Sequence, residues 1–305
     1  MNGILNINKP PGITSHDVVG KVRRLTGKVK VGHTGTLDPM ACGVLPLCVG
    51  QATRIAQYLN ADIKIYRAQI RLGVETDTLD RTGQILSQKD CRGISSVRIE
   101  ETLTFFRGNI EQLPPMYSAL KVGGERMYKL ARQGITVERK PRPVRIYRLE
   151  SVDFSEPDFT IEVECSAGTY IRSLASDIGQ KLGCGATLWE LTRTKSGQFD
   201  LKESLTLEHA GDLAAQNRLD SALIGINQVL GHLPEITIKE FAVRLIRNGV
   251  KIGVDSFLTL PPLDLGSDVT LRLLSPEYKL IALGVIKTVI SDELLIQPKL
   301  VFSEF

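Results

Sequence analysis

The stretch VGHTGTLDPMACGVLPLCVGQAT (residues 31–53) is the most informative part of this sequence. Its first part is rich in Gly, Thr and Pro, which predicts a loop over residues 31–43. The apolar run that follows predicts a buried strand from Val44 to Gly50, and the next residues predict a short helix from Ala52 to Leu59. Asp38 is the one Asp, Glu, Lys or Arg among these 23 residues.

Asp38 is therefore a carboxylate within an apolar, glycine-rich loop. Pro39 disfavours helical backbone at Asp38. Burying a carboxylate without a partner is costly, so a buried Asp38 requires a cation from elsewhere in the chain. The alternative is a turn-forming Asp-Pro pair at the surface.

Arg172 is the candidate partner of Asp38. It lies in the first turn of a helix predicted from Tyr170 to Leu182, whose apolar residues form one stripe. The helix dipole disfavours a cation at this end, which indicates that another group holds Arg172 there. The alternative is that Arg172 extends its guanidinium into water.

The remaining patterns predict alternating strands and helices. A short strand over Ile4–Ile7 ends at residues 9–12, where Lys-Pro-Pro-Gly follows, and Ser15 is the predicted N-cap of a helix that runs to Thr26. Apolar and polar side chains alternate from Ile63 to Leu72, which predicts a half-buried strand. Further strands are predicted over 143–154 and 159–165, and further helices over 125–133 and 239–248.

A break near residues 231–234 (Gly-His-Leu-Pro) divides the chain into two predicted domains. Residues 233–305 contain short β-like runs separated by Gly and Pro, which predicts a small β-rich module. Residues 1–232 form the larger predicted domain, and a basic insertion over about 114–148 lies within it.

The basic segment (residues 114–148) carries nine Lys or Arg against two Asp or Glu, a net charge of +7, with three tyrosines between them. Phosphates are attracted by such charge and unstacked bases by aromatic rings, so this composition fits a nucleic-acid-binding surface. The alternative is a solvated face. Gly123 and Gly124 form a natural hinge, so we expect the segment to be mobile until it closes over its ligand. Residues 1–60 carry a further net charge of +5.

The overall composition narrows the class of protein. With 305 residues, 42% apolar and 24% charged, the chain is typical of one large or two unequal globular domains. We find no apolar stretch that could cross a bilayer and no signal-peptide pattern, so no membrane association is expected. The five cysteines form no CxxC pair, which argues against a disulfide framework or a zinc site and favours the cytoplasm.

Six segments, in chain order, resemble motifs of the TruB-type tRNA pseudouridine synthases. They are NKPPGITS (8–15), GHTGTLDPMACGVLPLCVGQATR (32–54), KIYRAQIRLGVETDTLDRTG (64–83), PPMYSALK (114–121), CSAGTYIRSLASDIG (165–179) and LTRTKSGQF (191–199). Several long motifs in the right order are a specific signal. The C-terminal module resembles the PUA-type RNA-binding domain that many bacterial members carry.

The resemblance implies a fold and a set of site residues. The fold is α/β (α+β), with a mixed, largely antiparallel sheet and flanking helices in the catalytic domain and a PUA-like domain after it. The family's nucleophilic aspartate falls on Asp38, its active-site tyrosine, which stacks on the base and is implicated in proton transfer, on Tyr66, and its aspartate-bound arginine on Arg172. The residues assigned to uridine or RNA binding are Lys9, His33, Tyr170, Leu191, Lys121, Arg139, Lys140 and Arg142.

The activity implied is isomerisation of uridine 55 in the T-loop of tRNA to pseudouridine. The base must leave its stack to reach Asp38, and an aromatic side chain such as Tyr66 can support it there. Isomerisation consumes no redox equivalent or phosphoryl donor, so no cofactor and no metal are expected. The expected partner is the T-arm stem-loop of tRNA, bound by a monomer without an obligatory protein partner.

Three other functions fit parts of the same pattern. A related pseudouridine synthase could act on another RNA with a guide RNA and partner proteins, although the basic segment favours an enzyme that grips its own substrate. The protein could chiefly bind and fold tRNA, with catalysis secondary. A glycosidase is disfavoured because no second catalytic carboxylate stands near Asp38 in the sequence.

Overall fold

The computed structural model describes residues 1–59, 63–118, 120–135, 137–259, 268–288 and 294–302. At residues 121–122, 126, 128–129, 132 and 288 it describes the backbone alone. The strands are β1 (Gly3–Lys9), β2 (Val31–His33), β3 (Cys42–Val49), β4 (Ile63–Leu72), β5 (Val74–Thr76), β6 (Ile85–Gln88), β7 (Gly108–Gln112), β8 (Lys121–Val122), β9 (Glu125–Arg126), β10 (Arg142–Ser155), β11 (Asp158–Ser166), β12 (Ala186–Ser196), β13 (Phe199–Asp200), β14 (Leu205–Thr206), β15 (Glu235–Thr237), β16 (Ile252–Gly253), β17 (Thr270–Leu274), β18 (Leu280–Thr288) and β19 (Leu294–Val301). The α-helices are α1 (Ser15–Leu25), α2 (Ser96–Thr104), α3 (Met127–Arg132), α4 (Ile171–Leu182), α5 (Leu207–Ala215), α6 (Ile226–Val229) and α7 (Glu240–Arg247).

Within the described residues, ten strands form one large sheet in the order β14-β1-β3-β12-β4-β11-β10-β7, with β2 paired to β3 and β13 to β12. The β1–β14 and β3–β12 pairs are parallel and the other pairs are antiparallel. The predicted α/β class with a mixed, largely antiparallel sheet is confirmed. We call the face that α1, α2 and α4 cover the helical face, and the opposite face the outer face.

Strand β3 is buried on both faces, which explains its unbroken apolar run. Leu45, Leu47 and Val49 pack into the core on the helical face. Val44 and Cys48 pack on the other side, in a cluster that also contains Leu274 of β17 and Phe302, the residue after β19. A strand that is covered on both faces needs apolar side chains on both, so apolar and polar residues do not alternate in its sequence.

Strand β4 has the alternation that a strand with one solvated face requires. Tyr66, Ala68, Ile70 and Leu72 are buried on the helical face, while the residues between them are partly or fully exposed on the outer face. The bounds Ile63–Leu72 are those predicted from the sequence.

Helix α1 begins with a capping box. Thr14 is the N-cap: its hydroxyl accepts a hydrogen bond from Asp17 N at 3.0 Å, and Asp17 Oδ2 accepts one from Thr14 N at 2.9 Å. The prediction of Ser15 as the cap was wrong by one residue. Ser15 is instead buried, and its hydroxyl bonds to the backbone of Leu37. It therefore holds the loop that contains Asp38.

Several predicted elements differ from the structure. Residues 31–33 of the predicted loop form β2, whose pairing with β3 is a tertiary contact that so short a segment does not reveal. The predicted helix over 52–59 is two 3₁₀ turns, Gly50–Arg54 and Ala56–Tyr58. The predicted helix over 125–133 is shorter, because its first two residues pair with β8 as β9.

Strand β12 was not predicted, although it lies near the centre of the large sheet. Its pairing with β4 shifts register between residues 188 and 190 and again between 193 and 195. Each bulge puts two residues opposite one and breaks the alternation of apolar and polar side chains. The sequence ATLWELTRTKS therefore lacks the period of two from which strands are recognised.

The second sheet contains five strands in the order β15-β17-β18-β19-β16, with α7 packed on it. It packs on the outer side of β1 and β3, where Arg54 Nη1 also donates a 2.7 Å hydrogen bond to the carbonyl of Val301. The predicted helix over 239–248 is present as α7. None of the described helices combines the length and the apolar character that crossing a bilayer requires.

Candidate active site

Asp38 lies on the helical face, in the loop over residues 34–41 between β2 and β3, which we call the Asp38 loop. Ser15 Oγ accepts from Leu37 N at 2.8 Å and donates to Leu37 O at 3.0 Å. The Gly12 N–H donates to Pro39 O at 2.8 Å, and Ala41 N donates to Asp38 O at 3.1 Å. These bonds fix the backbone on both sides of Asp38.

Lys9 holds the same loop from beneath. Its ammonium group donates to the carbonyls of Pro10 at 2.9 Å, Pro39 at 3.2 Å and Ala41 at 2.6 Å, and the residue is fully buried. Burial lowers the pKa of Lys9 to about 8. The resemblance assigned Lys9 to uridine or RNA binding; in the structure its ammonium group contacts backbone carbonyls, two of them in the Asp38 loop, and its role toward RNA stays a prediction.

Arg193 is a second buried cation that binds this loop. Its Nε donates to Val44 O at 2.7 Å and its Nη2 to Gly35 O at 3.0 Å. Strand β12 approaches β3 so closely here that a Cβ on Gly43 (φ +104°) would lie 2.2 Å from Arg193 O. Only glycine fits this position, which accounts for Gly43 at the start of the apolar run.

Asp38 and Arg172 form the ion pair that the sequence suggested. Arg172 Nε lies 2.9 Å from Asp38 Oδ2, and Nη2 donates to Asp38 Oδ1 at 3.1 Å. The Arg172 side chain is 5% exposed and that of Asp38 33%, so the arginine is buried and part of the carboxylate reaches solvent. We call this opening at Asp38 the cleft. Burial raises the pKa of Asp38, and the nearby Asp80 adds to this, while Arg172 and Lys9 oppose it.

Arg172 is held by more than Asp38. Its Nη1 donates to Thr78 O at 3.1 Å, and its Nη2 donates to Tyr117 O at 2.8 Å. It lies in the first turn of α4, as predicted, where Tyr170 is the N-cap and provides no side-chain cap. These contacts from two distant segments stabilise a cation at a helix N-terminus, where the helix dipole disfavours it.

Asp80 is a site residue that the sequence analysis missed. Its side chain is 7% exposed, and Oδ2 lies 3.8 Å from Arg172 Nη1. Oδ1 accepts hydrogen bonds from Thr78 Oγ1 at 2.8 Å and from Thr82 N and Oγ1 at 2.9 and 2.6 Å. Arg172 therefore lies between two carboxylates, one facing the cleft and one enclosed by a turn. The only sequence signal was the Thr- and Asp-rich run 76–82, which is also typical of a surface turn.

Tyr66, on β4, is directly opposite Arg193 on β12 and interacts electrostatically with Asp38. It is 8% exposed, and burial raises the pKa of its phenol, while the positive charge of Arg193 opposes the shift. Tyr66 is therefore a neutral phenol held close to the carboxylate. Arg193, like Asp80, was not recognised, because a cation two residues from Lys195 resembles the solvated face of a strand.

The other residues assigned to uridine binding lie on β12, on β2 and at the start of α4. Leu191 is buried on β12 opposite Ala68, and His33 is half-buried at the end of β2. Tyr170 is half-buried at the start of α4, where burial raises the pKa of its phenol. Their roles toward a bound uridine stay predictions.

The four predicted RNA-binding cations belong to the basic segment. The backbone of Lys121 lies in β8, and its side chain is outside the described atoms. Arg139 Nη1 donates to Pro114 O at 3.0 Å, while Lys140 and Arg142 are exposed. Arg142 begins β10, so the last residues of the predicted insertion are part of the large sheet.

The geometry defines what this site can do. Asp38 presents one carboxylate to the cleft, with a charged guanidinium behind it and a neutral phenol beside it. A carboxylate held in this way can act as a nucleophile or a base on a bound molecule. Within the described residues, no three His, Cys, Asp or Glu side chains are grouped as a metal site would require.

Comparison with known proteins identifies the family. Residues 23–171 match the family model described as TruB family pseudouridylate synthase (N terminal domain), and residues 172–230 match that of the tRNA pseudouridylate synthase B C-terminal domain. Both matches end before the five-stranded sheet. The chain is 49% identical over 259 residues to tRNA pseudouridine synthase B of Clostridium kluyveri, covering 85% of this chain and 88% of that protein. It is 45% identical over 292 residues to the protein of the same name from Geobacillus thermodenitrificans, covering 93% and 95%.

Solved structures give the same result for the fold. A Cbf5-Nop10-Gar1 complex contains a chain that superposes with a TM-score of 0.74 at 28% identity, covering 99% of this chain and 85% of that one. An H/ACA RNP bound to a substrate RNA contains another, with a TM-score of 0.74 at 26% identity and the same coverage. The chain belongs to the TruB family of pseudouridylate synthases, isomerases that convert uridine in RNA to pseudouridine.

Proposed function

We propose that this enzyme isomerises uridine 55 in the T-loop of tRNA to pseudouridine and that Asp38 is its reacting carboxylate. The observation that carries the role of Asp38 is its pairing with the buried Arg172 while it faces the cleft. The relatives named tRNA pseudouridine synthase B support tRNA as the substrate. A tRNA substrate in turn supports a cytoplasmic location.

The reaction breaks the bond between N1 of uracil and C1′ of the ribose and forms one between C5 and C1′. The proton on C5 is lost and N1 gains one, so no atom or electron is supplied from outside. Asp38 provides the carboxylate that reacts with the nucleotide, and Arg172 keeps it ionised and oriented. Burial raises the pKa of Asp38, which makes its carboxylate a stronger base than that of an ordinary aspartate.

The target base must leave its stack to reach Asp38, because the carboxylate lies within a cleft. Flipping costs a few kcal/mol of stacking energy, which contacts in the pocket must offset. Tyr66 lies close to the carboxylate and supplies an aromatic surface for the flipped base. Leu191 and Tyr170 line the remaining sides, and His33 supports the displaced nucleotide.

Binding of the rest of the substrate falls to the basic segment. Lys121, Arg139, Lys140 and Arg142 contact phosphates of the T-arm, which gives affinity without sequence preference. Residues 233–305 act as a PUA-like RNA-binding domain next to the catalytic domain over 1–232. The enzyme works as a monomer and needs no partner protein.

Mapping pseudouridine in unmodified tRNA transcripts tests this proposal. Wild-type protein alone, without guide RNA, is expected to modify position 55 and no other uridine, and Asp38→Asn is expected to leave it unmodified. Product outside the T-loop, or none with protein alone, would overturn the assignment.

A guide-dependent activity on another RNA is the second candidate. The likeness to chains from a Cbf5-Nop10-Gar1 complex and an H/ACA RNP, over 99% of this chain, favours it. The same transcript assay separates the two, because a guide-dependent enzyme gives no product at position 55 without a guide RNA.

A further inference from the structure

Helix α1 and the turn after it present a second basic surface, which we call the α1 surface. It consists of Lys21, Arg23, Arg24, Lys28 and Lys30, all exposed. From residue 15 to residue 30 the sequence has one acid, Asp17, in the first turn of the helix. In the described part of the chain none of the five cations forms an ion pair.

Several cations elsewhere on the surface form ion pairs with carboxylates. Arg71 binds Asp158 at 2.7 Å, Arg92 binds Asp90 at 2.6 Å, and Arg81 binds Glu190 at 3.2 Å. A cation with a carboxylate beside it contributes little to the field beyond its neighbours, whereas five unpaired cations attract phosphates over several ångströms. The α1 surface therefore differs from these three positions, because its five cations lie together without an ion pair.

The α1 surface and the basic segment lie on opposite sides of Asp38. Helix α1 packs beside β2 and α5, toward the β14-β1 edge of the large sheet. The basic segment connects β7 to β10 at the other edge. Asp38, in the loop before β3, and Tyr66, on β4, lie between them. From β3 to β7 there are five strand spacings, about 24 Å at 4.8 Å each.

The α1 surface also connects directly with the site. Ser15, in its first turn, bonds to Leu37 of the Asp38 loop. At 1.5 Å per residue, Lys21 and Arg24 lie about 9 and 14 Å from Ser15 along the helix axis. An RNA whose uridine is in the cleft and whose stem lies on the basic segment can reach the α1 surface only with a part that extends past the cleft.

We propose that the α1 surface binds phosphates of the tRNA body outside the T-arm. This inference rests on the proposed function, since it takes tRNA as the substrate. The two basic surfaces then bind different parts of the substrate. The basic segment binds the stem that carries the target uridine, and the α1 surface binds the part of the tRNA against which the T-loop folds.

The test compares two substrates for the triple variant Lys21→Ala, Arg24→Ala, Lys28→Ala. Binding to full-length tRNA is expected to weaken about tenfold near 0.1 M salt, with log K depending less on log salt by about 0.7 to 0.9 for each phosphate that the variant no longer binds. Binding to an isolated T-arm stem-loop is expected to stay within twofold. The control variant Lys89→Ala, Arg92→Ala, Lys202→Ala removes the same charge elsewhere and is expected to change neither.

The outcomes are distinct. Equal weakening on both substrates, or none on either, overturns the inference. A wild-type enzyme that forms no pseudouridine at position 55 of full-length tRNA contradicts the proposed function instead, whatever the α1 variant does.

A separate observation concerns Gln112, at the end of β7. Its side chain is 1% exposed and holds the backbone of Tyr170 at two points: Oε1 accepts from Tyr170 N at 2.9 Å, and Nε2 donates to Tyr170 O at 3.2 Å. Ser173 Oγ donates to Leu113 O at 2.8 Å in the adjacent turn. Residues 112–113 thus grip the start of α4, which has no side-chain cap of its own.

We infer that Gln112 is a positioning residue, which acts on the reaction through Arg172. Arg172 follows Tyr170 by two residues, and a shift in the helix start moves its guanidinium away from Asp38. Tyr117, whose carbonyl accepts from Arg172 Nη2, lies five residues after Gln112 at the root of the basic segment. One short segment therefore joins the RNA-binding part of the molecule to the arginine behind Asp38.

Gln112→Leu tests this role, because it keeps most of the side-chain volume and removes both bonds. The single-turnover rate at saturating enzyme is expected to fall about tenfold or more, with tRNA affinity unchanged. The acid limb of the pH–rate profile is expected to move to higher pH, since Asp38 loses stabilisation of its charged form. Gln69→Leu, on the outer face, is the matched control and is expected to do neither.

A double-mutant cycle decides whether Gln112 acts through Arg172. If it does, Gln112→Leu lowers the rate of the Arg172→Lys enzyme much less than it lowers that of the wild type. Fully additive losses, or a loss of thermal stability with an unmoved pH midpoint, would show a merely structural role.

Discussion

The Asp38 loop and the basic segment are built in opposite ways. The loop is held at several points: Lys9 binds the carbonyls of Pro39 and Ala41, Ser15 binds both backbone groups of Leu37, and Arg193 binds Gly35. The basic segment has exposed cations such as Lys140 and Arg142, and Arg139 bonds to Pro114 within the segment itself. The cations that bind the Asp38 loop are buried, whereas Lys140 and Arg142 of the basic segment are exposed.

The difference separates chemistry from binding. Groups that react must be placed before the substrate arrives, because reorganising them during the reaction adds to the barrier. Cations that bind phosphates need only be near them, since the attraction is long-ranged and tolerant of geometry. Changes in the two regions are therefore expected to affect different measured quantities.

The largest expected effect is that of Asp38→Asn. Turnover is expected to fall by at least about 10³-fold, because the amide cannot act as the reacting carboxylate. Affinity for tRNA is expected to stay within a few-fold, since the cations that bind phosphates are all kept. Single-turnover kinetics and filter binding measure the two quantities, and a rate near that of the wild type would remove Asp38 from the mechanism.

A smaller but substantial loss is expected for Arg172→Lys. Lysine cannot reproduce the planar contact with Asp38 or the bonds to Thr78 and Tyr117, so the rate is expected to fall about 10²-fold. Stability is also expected to fall by about 2 to 4 kcal/mol, because buried polar partners are left unpaired. Kinetics and thermal melting test this; an unchanged rate together with an unchanged Tm would contradict the role of the pair.

The matching change in the basic segment is Arg139→Ala, Lys140→Ala, Arg142→Ala. Affinity is expected to weaken about tenfold for all tRNAs alike, and the slope of log K against log salt to flatten by about 0.7 to 0.9 for each phosphate that is no longer bound. The rate at saturating enzyme is expected to change less than twofold. Titrations at two salt concentrations provide the check, and a large rate loss with an unchanged salt slope would place these cations in the active site.

Asp177→Asn, five residues after Arg172 on α4, is expected to change stability and to have the smallest effect on activity. Burial raises the pKa of Asp177 to about 6, so the fold favours the protonated form and loses stability as pH rises from about 4 to about 6. Asp177→Asn is expected to stabilise the protein by about 1 to 3 kcal/mol at pH 7.5 and to have little effect below pH about 4. Urea unfolding at both pH values tests this, and a destabilised variant at pH 7.5 would show that the carboxylate has an unrecognised partner.

Features carried by local pattern were predictable from the sequence. The alternation in β4 and the apolar stripe of α4 gave those elements, and a lone carboxylate together with a cation at a helix start gave the Asp38–Arg172 pair. The resemblance to a known family supplied the sheet architecture and the role of Tyr66.

What could not be predicted depends on contacts between distant segments. Asp80 joins the site because the turn that carries it packs against α4, and Arg193 because two bulges in β12 hide the strand that places it opposite Tyr66. Lys9 was assigned from the family resemblance, and only the fold shows that its ammonium group binds the carbonyls of Pro39 and Ala41 in the Asp38 loop.

The separation of chemistry from binding is tested most directly by the pH dependence of the single-turnover rate at saturating enzyme, for the wild type and for the Arg139, Lys140 and Arg142 triple alanine variant. Because the pKa of Asp38 is raised by burial, both rates are expected to fall with decreasing pH through one shared midpoint, above the usual pKa of an aspartate. Curves that superimpose support the account. A midpoint that moves in the triple variant would contradict it, because exposed cations that bind phosphates are expected to lie too far from Asp38 to shift its pKa.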